Sequence, residues 1–121
     1  MASLFEIGAG KALGYTTGGA VTQGTSKATG VTLNHAAGAI TMHDAALAAG
    51  AEVSFTVTCD KVAATDVVVV NHGSAGTAGS YLVQANSLAA GSFAITVSNV
   101  SAGSLGEAIV LHYAVIKAAA S

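Results

Sequence analysis

From residue 20 onward, apolar and polar residues alternate in short segments, the period of a half-buried β-strand. Residues 52–59 show it most cleanly: Val53, Phe55, Val57 and Cys59 on one face, Glu52, Ser54, Thr56 and Thr58 on the other. Residues 30–34 place Val31 and Leu33 together against Thr32 and Asn34, and residues 39–43 place Ile40 and Met42 together. Residues 80–88 (Tyr81, Val83, Ala85), 92–100 (Phe93, Ile95, Val97) and 107–116 (Ile109, Leu111, Tyr113, Val115) repeat the pattern. The Ala-rich residues 44–50 have room for about one helical turn, too short to be stable alone.

One segment breaks the alternation. TDVVVVNH, residues 65–72, has four consecutive valines between Asp66 and Asn71, followed by a Gly-rich loop over residues 73–79. β-Branched side chains favour extended backbone. A short apolar run between turn residues predicts a strand covered on both faces, Val67 and Val69 facing one way and Val68 and Val70 the other. One face belongs to the domain's own core. The other has to meet a second layer of the chain or another molecule.

Together these segments predict an all-β fold: an antiparallel β-sandwich, jelly-roll-like, of seven to eight strands, with turns every ten to twelve residues. LAAG at residues 47–50 precedes FTVT, and LAAG at residues 88–91 precedes ITVS, so one turn-into-strand unit occurs twice and suggests two related hairpins. The chain has no proline, so its edge strands need protection of another kind, such as a neighbouring subunit.

The organisation is one domain over residues 20–121 preceded by an arm over residues 1–19. Gly8, Gly10, Gly14, Gly18 and Gly19 argue against a helix in the arm. Leu4, Phe5, Ile7, Leu13 and Tyr15 are its anchor points, for docking on its own domain or a neighbour. The chain is 52% hydrophobic and 5% aromatic, so its apolar content is mostly small. Only 8% of residues are charged: four lysines, no arginine and six acids, a net charge of −2. A nucleic-acid partner needs a basic stripe, which is missing. So little charge suits a protein that buries surface against partners, itself included. Residues 1–14 lack the basic and apolar regions of a secretory signal, and no apolar run reaches membrane-spanning length. Synthesis and folding in the cytoplasm are expected.

No catalytic, metal or cofactor motif stands out. His35, His43, His72 and His112 fall near strand ends or opposite the apolar set, without the spacing of a metal site. His43 and Asp44 are adjacent, which on a strand puts them on opposite sides. GAGK at residues 8–11 lacks the full phosphate-loop pattern, with Ala12 where Ser or Thr is needed. Asp66, His72 and Ser74 supply the residue types of a hydrolase triad without its nucleophile elbow. The six acids are scattered singly, as on a solvated surface. Lone Cys59 fits a small buried hydrophobe. Asn99-Val100-Ser101 is a sequon, expected to serve only as a turn. His72, Ser74 and Thr77, in and beside the Gly-rich loop, are candidate partner contacts along with the arm's anchors.

Four stretches together resemble small structural proteins of tailed bacteriophages: VTQGTSKATGVTLN (21–34), AGAITMHDAALAAGAEVSFTVT (37–58), VAATDVVVVNHGSAGTAGSY (62–81) and AAGSFAITVSNVSAGSLGEAIVLHYAVIKA (89–118). The resemblance covers most of the chain after Ala20, excludes the arm and carries no catalytic residue. It implies a virion component on the capsid exterior. The expected role is a head decoration or cement protein that bridges major capsid protein subunits as a homotrimer or dimer. A tail-fibre or receptor-binding head domain is the alternative.

Overall fold

The computed structural model describes residues 9, 15 and 18–118. Eight strands form two four-stranded sheets: β1 (Gly19–Thr22), β2 (Val31–Thr32), β3 (Ala37–Thr41), β4 (Glu52–Thr58), β5 (Val67–Ser74), β6 (Tyr81–Ala89), β7 (Ser92–Asn99) and β8 (Val110–Ile116). Sheet A has the order β1-β3-β8-β5 and sheet B the order β2-β4-β7-β6. The expected all-β sandwich is present. Both sheets are mixed, however: β1 lies parallel to β3 and β2 parallel to β4, the remaining pairs being antiparallel. Successive strands change sheet from β1 through β6, so β1 and β3, or β2 and β4, meet without a hairpin. Only β6 and β7 are joined by a tight turn within a sheet.

The alternating residues fill the space between the sheets. Val31, Leu33, Ile40, Met42, Phe55, Val57, Phe93, Ile95, Val97, Ile109, Leu111, Tyr113 and Val115 are all buried. Phe93 and Tyr113 pack across the sheets with ring centroids 5.5 Å apart. Cys59 is fully buried, and its thiol reaches the His35 carbonyl at 3.3 Å. The Tyr113 hydroxyl donates to the same carbonyl at 2.7 Å. Burial, followed by the neighbouring Cys59, pushes the Tyr113 phenol above its ordinary pKa.

The repeated LAAG unit has a structural counterpart. Gly50 and Gly91, the last residue of each copy, have φ of +74° and +85°, left-handed values open to glycine at little cost. The strands that follow, β4 and β7, become central neighbours, Phe55 opposite Ile95 and Val57 opposite Phe93. Only the second unit closes a hairpin; the first carries the chain from sheet A to sheet B. Residues 44–50 form no helical turn. Leu47 instead bridges to Leu105 in both directions, at 2.8 and 3.0 Å.

The valine run departs from expectation. β5 is an edge strand, paired with β8 alone among the described residues. Val70 faces the core, but Val67 and Val69 are 55% and 44% exposed. No second layer of the chain, among the described residues, covers that face.

Asn99 is fully buried and satisfied on every side. Its amide donates to the Leu47 and Gly103 carbonyls, both at 2.8 Å, and its side-chain oxygen accepts from the Ser101 amide at 2.9 Å and hydroxyl at 2.7 Å. The sequon is thus a side-chain-braced turn.

Two substitutions test this account by equilibrium unfolding. Phe93→Ala empties the centre of sheet B and should cost about 3–5 kcal/mol. Asn99→Ala strands several buried polar groups and should cost about 2–4 kcal/mol. Val67→Ala, at an exposed site, serves as the control and should change the unfolding free energy of the monomer by less than about 1 kcal/mol.

Candidate functional site

The outer faces of the two sheets differ in chemistry. On sheet B, cross-strand register places Glu52, Ser54, Thr56 and Thr58 of β4 beside Ser98, Thr96, Ala94 and Ser92 of β7. Gln84 and Asn86 of β6 continue the row. Ser54 and Thr96 hydroxyls are 2.7 Å apart, and the Asn86 amide donates to Thr96 at 3.0 Å. Ser54, Thr96 and Asn86 thus satisfy one another, and Leu82, opposite Ser98 and 62% exposed, puts one large apolar side chain on the same face.

On sheet A, register aligns Ala20 of β1, Ala39 of β3 and His112 of β8 in one outward row, with Asn71 of β5 at its end. The next row is Ala37, Ala114 and Val69, and beyond it Ile116 stands opposite Val67. None of these side chains carries a fixed charge. Small residues make the middle of the face flat; Val67, Val69 and Ile116 raise an apolar strip at the β5 side. The Gly73 backbone packs beneath the His112 ring: a Cβ there would lie 2.6 Å from the imidazole.

At one end of the sandwich, polar groups gather around Glu107. Its carboxylate accepts from the Thr77 amide at 3.0 Å, the Thr77 hydroxyl at 2.8 Å and the Tyr81 hydroxyl at 2.7 Å. These bonds, Tyr81 first and then Thr77, hold the Glu107 carboxyl below the usual carboxylate range. Burial, reinforced by Glu107, pushes the Tyr81 phenol up. His72 meets Tyr81 edge to face at 5.4 Å and donates from Nε2 to the Ala75 carbonyl at 2.5 Å. The loop between β5 and β6 is therefore braced despite its glycines. It takes left-handed backbone at Ala75, Gly76 and Gly79, and Gly76 lies against Ile109 and Glu107, leaving no room for a Cβ.

The Glu107 backbone carbonyl belongs to a second clamp. Lys27, 5% exposed, donates from Nζ to it at 2.7 Å and also to the His43 carbonyl. Desolvation lowers the Lys27 pKa, with Asp44 and Glu107 opposing. Buried Gln23 ties the same region together, donating to the Lys27 and Thr29 carbonyls at 2.9 and 3.0 Å and accepting from the His43 amide at 2.9 Å. His43 and Asp44 do not point apart as strand neighbours would. The chain has already left β3 at Thr41, and their side chains approach to 3.5 Å.

The candidate partner contacts separate accordingly. Leu4, Phe5, Ile7 and Leu13 lie outside the described residues. Tyr15 is described: its ring is half exposed while its hydroxyl donates to the Val115 carbonyl of β8. His72 and Thr77 join the Glu107 network, whereas Ser74 lies past a β-bulge, opposite Val110. Asp66 and His72 stand at opposite ends of β5, roughly 20 Å apart at strand rise, so they form no triad. Nor is Asp66 a solvated acid. Its buried carboxylate takes Lys117 at 2.5 Å and the amides of Ala63 and Ala118 at 2.8 and 3.2 Å; Lys117, then Ala63, hold its pKa down. Among the described residues, no three His, Cys, Asp or Glu side chains converge as metal ligands. Sequence reasoning missed Glu107 and Lys27. The available signal was that Glu107 is the only charged residue between Asp66 and Lys117.

The Glu107 clamp has a definite pH dependence. Its folded pKa lies below its unfolded value, so the stabilisation is present above the unfolded range, near pH 4.3, and is lost as pH falls through the lower folded value. Melting temperature measured from pH 6 down to about pH 3 should fall more steeply for wild type than for Glu107→Gln, Asp66 contributing equally to both. Parallel curves would mean that the carboxylate does not brace the loop.

Comparison with family models, with curated proteins and with solved structures gives no match.

Proposed function

We propose that this chain is a structural component of a tailed-phage particle: a head decoration or cement protein that lies on the capsid exterior and bridges major capsid protein subunits. The observation that carries the reading is the contrast between the faces. Among the described residues, sheet A presents an uncharged, small-residue surface, while the outer face of sheet B is mostly hydroxyls and amides with Glu52 among them, Leu82 being its one large exposed apolar side chain. A flat apolar face docks by excluding water over its whole area and requires no reacting group. Repeated around a shell, a modest contact per copy adds up to resistance against the pressure of packaged DNA. The phage resemblance of residues 21–118 supports the same role. A second reading, a tail-fibre head domain, draws on the braced β5–β6 loop, whose exposed Gly-rich surface suits recognition of a host molecule.

Quantitative mass spectrometry of purified particles carrying the protein separates the two. Decoration requires a copy number on the scale of the major capsid protein; a handful per particle favours the fibre. Ala39→Glu, which sets a charge in the middle of the sheet A face, should lower the copies bound per particle about tenfold or more, tenfold corresponding to about 1.4 kcal/mol. Its circular dichroism should match wild type. Unchanged incorporation of the folded variant would remove sheet A as the docking face.

A further inference from the structure

A sandwich has four sheet edges, and two of them here are short. β1 and β2 are only four and two residues long. β6 is longer and regular from Tyr81 to Asn86, its bulge lying between Asn86 and Ala89 with Ser87 in left-handed backbone at φ +53°; of its outward side chains Leu82, Gln84 and Asn86, two are polar, whereas those of β5 include Val67 and Val69. β5 is bulged only at its far end, between His72 and Ser74. Its stretch from Val67 to Asn71 is regular and uncharged, and among the described residues its outer edge pairs with nothing. Lys117, which follows the Ile116 that pairs with Val67, is turned back onto Asp66 and the Lys61 carbonyl. An edge of this kind offers a row of backbone donors and acceptors that only another extended strand can satisfy.

We propose that the β5 edge pairs with the β5 edge of a second copy of this chain, antiparallel across a twofold axis, joining two copies of sheet A into one eight-stranded sheet. Residues that oppose each other in an antiparallel pair point to the same face. The axis must therefore pass at a residue position. At Val68, it sets Val67 against Val69 of the second copy, so the outward cross-strand pairs are all valine. The self-pair brings no like charges together, because β5 holds no fixed charge. It also makes the strip of Val67, Val69 and Ile116 continuous across the axis, which a strand of other sequence would not do. The contact is isologous and closes at two copies. It concerns the free chain and stands whether or not sheet A docks on a capsid.

Sedimentation velocity of the full chain at micromolar concentration should give a mass twice the 11.6 kDa of one copy. Val69→Lys places two ammonium groups close to the axis and should raise the dissociation constant about tenfold or more, like charges opposed across a strand pair being unfavourable. Leu82→Lys, on the β6 edge and more exposed than Val69, should leave the dimer intact. Should Val69→Lys fail to fold, Val67→Lys tests the same contact. Hydrogen exchange should show the edge-facing amides within Val67–Val69 protected in the dimer and open in the variant. A wild-type monomer with those amides open overturns the proposal. So does a monomer with them protected, which would put another segment, such as residues 1–14, on the edge. A dimer broken by Leu82→Lys and not by Val69→Lys assigns the contact to β6 instead and also overturns it.

Discussion

Two stacked sheets lie about 10 Å apart, and side chains from both inner faces have to fill that space. This chain meets the requirement from a composition dominated by small residues. Few large side chains are available, and the middle is filled by Phe93, Ile95 and Phe55 from sheet B and Ile40, Leu111 and Tyr113 from sheet A, all buried. Strict alternation is what makes this sufficient. A slip of one residue in a central strand would move its large inward side chains to the outside and turn its outward ones, Glu52 of β4 and His112 of β8 among them, to the core. Register and core volume are thus one constraint.

With the middle apolar, the polar work falls to the ends. Asn99 braces one turn, Asp66 and Lys117 close another corner, and Gln23 with Lys27 gathers three stretches of chain. Glu107 is where two of these arrangements meet, its carbonyl held by Lys27 and its carboxylate holding the β5–β6 loop. Single polar residues can carry such weight because each satisfies several backbone groups that would otherwise be buried unpaired. The scarcity of charge therefore does not mean that charge is incidental: Lys27, Asp66 and Glu107 are structural.

What remains is the surface. Sheet B carries hydroxyls and amides, of which Ser54, Thr96 and Asn86 bond to one another, while the outer face of sheet A, among the described residues, carries no fixed charge. Sheet A also carries the β5 edge, which pairs with nothing among the described residues, so its face and edge adjoin in one uncharged region. A surface so one-sided fits a protein whose work is done in contact with neighbours, and it ties the proposed capsid role and the proposed strand pairing to one patch of the fold.

Strand positions, the facing of nearly every residue on them, the burial of Cys59 and the turn at Asn99 were legible in the sequence, because a strand's side-chain period is a local property of its backbone. The partnership of strands was not. Whether β1 lies beside β3, and whether β5 ends up inside a sheet or at its edge, depends on where connections cross between sheets, and alternation is the same in either case. The half-exposed valines follow from that edge position. His43 and Asp44 met because the strand had already ended. Glu107 looked like an isolated surface charge and Lys27 drew no reading, since the groups that hold them come from segments 16 to 80 residues away and are brought near by the closed sandwich. Local periodicity determined the strands; long-range closure decided their neighbours, the buried polar clamps and the face left open.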